Sequence, residues 1–319
     1  MTLARTVVPP ALALAVLLAF PAGPVAAAEP VPCEWSGVGR VVAVGDVHGD
    51  AGQLVRALRA AKVIDANDDW AADATHLVQL GDVLDRGPDS RKAMDLLMRL
   101  EGQAKKAGGR VHALLGNHEA MVLAGRLSYM RPDELATYGG PEGLQKAMGP
   151  DGTYGRWIRG HNAVIRIDDT LFVHGGLSPA YARRPLREIN DAARRELGTD
   201  ADEGVTGDPA GPLWYRGLAD GLDDELEALL KPALETHRAA RIVVGHTVTK
   251  GDLVARAGGR LVMIDVGMSR IYGGPAACLV IEKGRLFETR PEGTRELTAP
   301  APAAPAGKPT GALKARPAA

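Results

Sequence analysis

Short clusters of carboxylate, imidazole and amide side chains recur along the chain, each beside a glycine. They are Gly45-Asp46-Val47-His48-Gly49-Asp50, Gly81-Asp82-Val83-Leu84-Asp85-Arg86-Gly87, Gly116-Asn117-His118-Glu119, Val173-His174-Gly175-Gly176 and Val244-Gly245-His246-Thr247. Oxygen and imidazole donors on such loops suit a bound ion or anion, because glycine lets the backbone turn sharply and approach a ligand closely. Taken singly, each cluster is weak: an Asp-x-His is usually a surface turn, and a histidine after a strand is more often a hydrogen-bonded structural one. Five of them in this order are hard to obtain by chance. His76, His112, His161 and His237 lie outside the clusters and read as structural or exposed.

Each cluster follows a short aliphatic run, at residues 41–44, 76–80, 111–115, 170–173 and 241–244, and a further run at 261–264 leads into Asp265. Near-continuous apolar runs of this length read as strands buried on both faces. Helical periodicity follows several of them. Residues 53–61 place Leu54, Ala57, Leu58 and Ala61 on one face, and residues 91–100 do the same with Ala93, Met94, Leu97 and Leu100. Strand–loop–helix repetition implies an α/β fold with helices packed on sheet, in which ligands sit at the carboxyl ends of the strands. Residues 119–158 break the pattern with a polar, glycine-containing, mostly helical stretch (one helix expected over 132–138) carrying Tyr129, Tyr138, Tyr154 and Trp157. It reads as an insertion beside the cluster-bearing face.

The 319 residues, 45% of them hydrophobic, suffice for a substantial core, and a formal net charge of -1 gives no reason to expect nucleic acid or an acidic membrane surface as partner. Residues 1–28 have the order of a secretory signal peptide: Arg5, an apolar run from Ala11 to Phe20, then Ala26-Ala27-Ala28. The run is short for a membrane span. The expectation is therefore a periplasmic or secreted protein without stable membrane association after cleavage. Export permits a disulfide, and Cys33 and Cys278 are the available thiols; a bridge and two buried free thiols are equally compatible with the sequence. The tail 298–319, rich in Pro and Ala, lacks apolar periodicity and reads as disordered. The folded catalytic unit is expected over 35–297.

Together the motifs GDxHG, GDxxDRG, GNHE and HGG resemble the calcineurin-like metallophosphoesterase superfamily, and more narrowly its phosphoprotein phosphatase branch. The resemblance runs from about Val41 to Glu282. It implies a metallophosphoesterase β-sandwich flanked by helices, with a helical insertion between the third and fourth motifs. It also implies two divalent metal ions, with Asp46 and His48 on the first, Asn117, His174 and His246 on the second, and Asp82 bridging. Such mixed ligands suit manganese, iron or zinc and argue against a thiolate site. In the family scheme a hydroxide shared by the metals attacks phosphorus in line, without a phosphoenzyme. His118 is then the general acid, Asp85 orients it, and Arg86 and Arg216, with Asn117, bind phosphate.

Leu115 stands where animal-type members carry Arg, His246 lies in Gly-His-Thr, and residues 264–269 replace the eukaryotic Ser-Ala-Pro-Asn-Tyr loop. With the leader, these departures look most like the Shewanella-like protein phosphatase group. The implied function is a dinuclear phosphomonoesterase acting on phosphorylated protein (Ser/Thr or Tyr) or a small phosphate ester. The alternative is a diadenosine-tetraphosphate hydrolase, against which Asp85 and Glu119 speak, since that relative usually lacks this Asp and ends its motif in Asp. A catalytically dead binding module would show a broken motif, and none is broken.

Overall fold

The structure, a computed structural model, describes residues 31–199 and 204–298. The expected signal peptide and nearly all of the expected tail lie outside the described residues. Among the described residues from Pro32 onward, the chain forms two six-stranded mixed sheets. The first comprises β1 (Glu34–Trp35), β5 (Val164–Ile167), β6 (Thr170–Val173), β7 (Arg241–Val244), β8 (Val254–Arg256) and β9 (Leu261–Met263), in the order β1-β5-β6-β7-β9-β8. The second comprises β2 (Arg40–Val44), β3 (His76–Gln79), β4 (Arg110–Ala113), β10 (Cys278–Glu282), β11 (Arg285–Arg290) and β12 (Gly293–Glu296), in the order β12-β11-β10-β2-β3-β4.

Helices α1 (Ala51–Ala60) and α2 (Ser90–Lys106) pack on the second sheet. Four short helices follow β4: α3 (Asn117–Leu123), α4 (Pro132–Thr137), α5 (Pro141–Met148) and α6 (Thr153–Arg159). Then α7 (Leu186–Glu196), α8 (Gly217–Asp220) and α9 (Asp223–His237) complete the described helices, with α7 and α9 against the first sheet. The protein is thus a mixed α/β sandwich flanked by helices, as the apolar runs led one to expect.

Local chemistry accounts for the main elements. Asp50 caps α1 by accepting from Gln53 N at 3.1 Å, and Leu54, Ala57 and Leu58 bury one stripe of that helix. All four residues of β3 and of β6 are buried, as runs inside a two-layer sandwich must be. The expected strand 111–115 ends early, at Ala113. Leu114 N still donates to Gln79 O of β3 at 2.9 Å, but Leu115 N turns away to Asn162 O, just before β5, at 2.9 Å. Strands β11 and β12 carried no clear signal. Every residue of β12 is exposed, and it is held by antiparallel pairing to β11 rather than by burial.

Each sheet contains a parallel trio, β2–β3–β4 in one and β6–β7–β9 in the other. Parallel neighbours end on the same edge, so all five motif loops and the Asp265 loop emerge at the carboxyl ends of these trios. Two bonds stitch the trios together there: His174 Nδ1 to Leu80 O at 2.8 Å, and His246 N to Asp46 Oδ1 at 3.1 Å.

Cys33 precedes β1 of the first sheet and Cys278 opens β10 of the second; both are buried free thiols. Burial pushes the Cys278 thiol up to about 12, which leaves it protonated and inert. A thiol reagent should therefore label neither cysteine rapidly in the native protein and both after unfolding, as read by intact mass. A native mass two hydrogen atoms short that recovers on reduction would show a bridge instead.

Candidate metal and phosphate site

The motif loops hold their side chains with unusual backbone. His48 (φ 43°), Asp82 (φ 54°), Asp85 (φ 68°), Arg86 (φ 68°) and His246 (φ 62°) all occupy the left-handed region that non-glycine residues avoid. Conformations of this kind cost on the order of 1–3 kcal/mol each and persist only where the surroundings over-determine them. Here Glu119 does so for the second motif. Its buried carboxylate accepts from Asp82 N (2.7 Å), Gly116 N (2.8 Å), Val83 N (2.9 Å) and Leu84 N (3.3 Å). Gly116 is required beside it: a Cβ there would stand 2.1 Å from Asp82 Oδ1.

The side chains converge around one atom. Asp82 Oδ2 lies 3.3 Å from His174 Nε2, 3.7 Å from His48 Nε2 and 3.9 Å from His118 Nε2. It belongs to two groups with metal-ligating geometry, His48–Asp82–His118 and Asp82–His174–His246. Asn117 Oδ1 joins the second at 3.0 Å from His174 Nε2, and His246 Nδ1 faces the same nitrogen at 3.1 Å. Asp46 sits beside the first group, with Oδ2 at 3.8 Å from His48 Nε2 and Oδ1 engaged by His246 N.

This donor set fits divalent cations. Backbone carbonyls of Leu84 and Leu80 take the Nδ1–H of His48 and His174, at 3.1 and 2.8 Å, which turns each Nε2 toward the centre, where a neutral imidazole can act as a ligand. Those nitrogens face the oxygens of Asp82 and Asn117, an arrangement that a divalent cation would satisfy. Titration separates the imidazoles: burial opposes the charged form of His174, but Asp82 and Glu119 prevail and raise it. Burial lowers His48 to about 4 and His246 to about 3, both toward the neutral ligand form. Burial also raises Asp46 well above the usual carboxylate range, with Asp265 and Asp82 adding to it. It would raise Asp82 too, but the charge on His174 and His118 holds that carboxyl well below its ordinary value.

His118 differs from the other imidazoles. Its Nδ1 bonds the buried Asp85 Oδ2 at 2.7 Å. Burial opposes its charged form, but Asp82 and Asp85 prevail and raise it. Arg86 lies 4.5 Å from the Tyr129 ring centre and 5.5 Å from that of Tyr272, a sandwich that stiffens the guanidinium. Arg216 is fixed by His246 O at 2.7 Å and Thr247 Oγ1 at 3.0 Å. Both arginines line one cavity of about 380 Å³ with His48, Asp82, Asn117, His118 and His246.

The cavity also contains residues that sequence reasoning did not single out as site residues. Asp265 lines it, its carboxyl raised to about 6 by burial and its Oδ2 unpartnered; its place after a buried strand was the available signal. Tyr129, Trp214, Val248 and Tyr272 form an apolar wall. They come from separate loops with no common spacing. Of the bland histidines, His76 and His112 are buried and bonded to one another at 3.1 Å, away from the site.

Fold and site together define a metal-dependent phosphoester hydrolase. The calcineurin-like phosphoesterase family model matches residues 39–250, and the chain belongs to that family. It is 35% identical over 257 residues to an uncharacterized Schizosaccharomyces pombe protein, covering 76% of this chain and 77% of that one. It is 28% identical over 285 residues to Shewanella-like protein phosphatase 2 of Arabidopsis thaliana, covering 72% of each. Among solved structures, the cold-active protein-tyrosine phosphatase of a psychrophilic Shewanella species superposes with a TM-score of 0.75 at 30% identity, covering 84% of this chain and 82% of that one. A symmetrical bis(5'-nucleosyl)-tetraphosphatase of Ralstonia nicotianae matches 49% of the chain at 29% identity, which leaves the dinucleotide alternative weaker. The protein is a phosphatase hydrolase with Shewanella-like protein phosphatase homologues.

Glutamine at 119 keeps the size of the side chain but offers one acceptor oxygen instead of two. Glu119→Gln should lower unfolding free energy by about 1–3 kcal/mol, the cost of orphaned buried donors, and weaken metal retention. Denaturant melts and elemental analysis check both; unchanged values would mean that the loop is held by other contacts.

Proposed function

We propose that the chain is a dinuclear phosphomonoesterase acting on phosphorylated proteins. The observation that carries this reading is the single oxygen Asp82 Oδ2 shared by two ligand groups. Asp46, His48 and Asp82 would hold one divalent ion, and Asp82, Asn117, His174 and His246 the other; manganese, iron and zinc all suit these donors. Bound ions of this kind supply Lewis-acid polarisation of phosphate oxygens and activate water as the nucleophile.

The residues of the chain do the rest. Arg86 and Arg216 orient the phosphate through planar, multiply donating head groups. Asn117 presents its amide at the same centre. His118, with Nδ1 held by Asp85, presents Nε2 to the leaving oxygen and donates its proton there. The carboxylate partner both fixes the imidazole plane and favours the charged, proton-bearing form. Tyr129, Trp214 and Tyr272 make an apolar wall suited to an aryl leaving group, and the likeness to the cold-active protein-tyrosine phosphatase of Shewanella supports phosphotyrosine over phosphoserine. The leader of residues 1–28 supports a periplasmic or secreted site of action, which cell fractionation checks.

Metal-reconstituted protein should turn over p-nitrophenyl phosphate and phosphotyrosyl peptides well, phosphoseryl peptides less well, and diadenosine tetraphosphate poorly. Preference for the dinucleotide would overturn the proposal. Asp82→Asn should lose both metals or their coupling, read by elemental analysis and by the magnetic coupling of a manganese-loaded sample. His118→Asn should keep its metals yet lose about 10²–10⁴-fold in turnover of a poor leaving group, the usual contribution of general-acid catalysis.

A further inference from the structure

Behind the His118–Asp85 pair lies a set of buried polar atoms that the site so far described does not use. Asp85 Oδ2 bonds His118, but Asp85 Oδ1 has no hydrogen-bond partner. Ser90 Oγ at the start of α2 and both carboxyl oxygens of Glu134 on α4 are also buried without partners. Asp85, Ser90 and Glu134 are each 0% exposed. Buried polar atoms almost always find partners, directly or through an internal water. Ser90 and Asp85 both act on the Glu134 carboxyl, so an internal water among the three groups would satisfy these atoms together.

The three side chains influence each other. Burial raises the Glu134 carboxyl to about 7; the Ser90 hydroxyl opposes that rise, and the charges of Asp85 and, on its own helix, Asp133 add to it. Two further groups face Glu134: Tyr138, pushed up by burial and by Glu134 so that it stays a neutral phenol, and Arg131, whose guanidinium is held chiefly by Asp133. A protonated Glu134 and the Ser90 hydroxyl are two donors, and Asp85 Oδ1 is the acceptor left over. The segment that carries Glu134 is tied to the same loop by a second contact, Arg86 N to Tyr129 O at 3.0 Å.

We infer that Glu134 is a positioning residue for the general acid: its protonated carboxyl, with Ser90 and an internal water, holds Asp85 Oδ1 so that Oδ2 stays aimed at His118 Nδ1. Glu134 touches neither substrate nor metal. Its effect reaches the reaction only through Asp85 and His118, and it makes the helices after β4 part of the proton-delivery apparatus. The inference rests on the general-acid role given above to His118.

The test compares phenyl phosphate, whose leaving group needs a proton, with 2,4-dinitrophenyl phosphate, whose leaving group does not. In wild type, His118→Asn should lower the phenyl-to-dinitrophenyl ratio of kcat; if it does not, the acid role itself fails. Given that drop, Glu134→Met, which keeps the volume but removes the donor, should lower the ratio about tenfold with metal content unchanged. Glu134→Gln, which retains an N–H donor, should restore it, and Ser90→Ala should give a smaller drop should the methionine variant not fold. Equal losses on both substrates, or an unchanged ratio in the variants that fold, would reduce Glu134 to a structural role and overturn the inference.

Discussion

The Asp82 carboxylate is the constraint on which the rest of the structure turns. It is buried, it faces His48, His118 and His174, and it lies where the ends of two parallel trios of strands meet. An ionised carboxylate in such a place costs several kcal/mol unless charge and hydrogen bonds compensate it. Compensation comes from every side: the His118 backbone N–H binds Oδ1 at 3.0 Å, the imidazoles face Oδ2, and Glu119 clamps the Asp82 backbone from below. Donor groups gathered at one point from both sheets suit divalent cations, which ties the metal chemistry to the fold.

The sandwich supplies the rigidity this arrangement needs. Strands such as β3 and β6 bury every residue, and a single apolar core runs beneath both trios. That packing stabilises the left-handed backbone at His48, Asp82, Asp85, Arg86 and His246, none of which would adopt it in isolation. Strain is concentrated in the loops that carry chemistry, while the strands beneath them are conventional.

The cavity divides its labour by composition. Its lining combines Arg86 and Arg216, set for an anion, with the aromatic and aliphatic surface of Tyr129, Trp214, Val248 and Tyr272. Tyr129 and Tyr272 serve both parts, since they flank Arg86 as well as lining the cavity. Recognition of the phosphate and of the group it is attached to are therefore mechanically linked. Behind the same cavity, the Asp85 carboxylate connects His118 to α2 and α4 and so joins the acid to the helices outside the sandwich.

The amino-acid sequence by itself determined the strand-end motifs and the order of the trios along the chain, because local backbone chemistry and short aliphatic runs are written in consecutive residues. Asp46, His48, Asp82, Asn117, His174 and His246 stand in the motifs that carry the family resemblance, and the loops taken singly did not give them a role. Only the tertiary structure decided that Asp82 Oδ2 is common to two groups, that Glu119 spends its carboxylate on four backbone N–H groups, and that Asp265 joins the cavity. It also decided that Cys33 and Cys278 stand in different sheets, and that β12 exists at all. These depend on sheet order, on register and on which side chains from distant segments meet, and a one-dimensional pattern does not carry distances between segments far apart in the chain. The apolar wall shows the same limit most plainly: Tyr129, Trp214 and Tyr272 share no spacing, and only the closing of the sandwich brings them to one cavity.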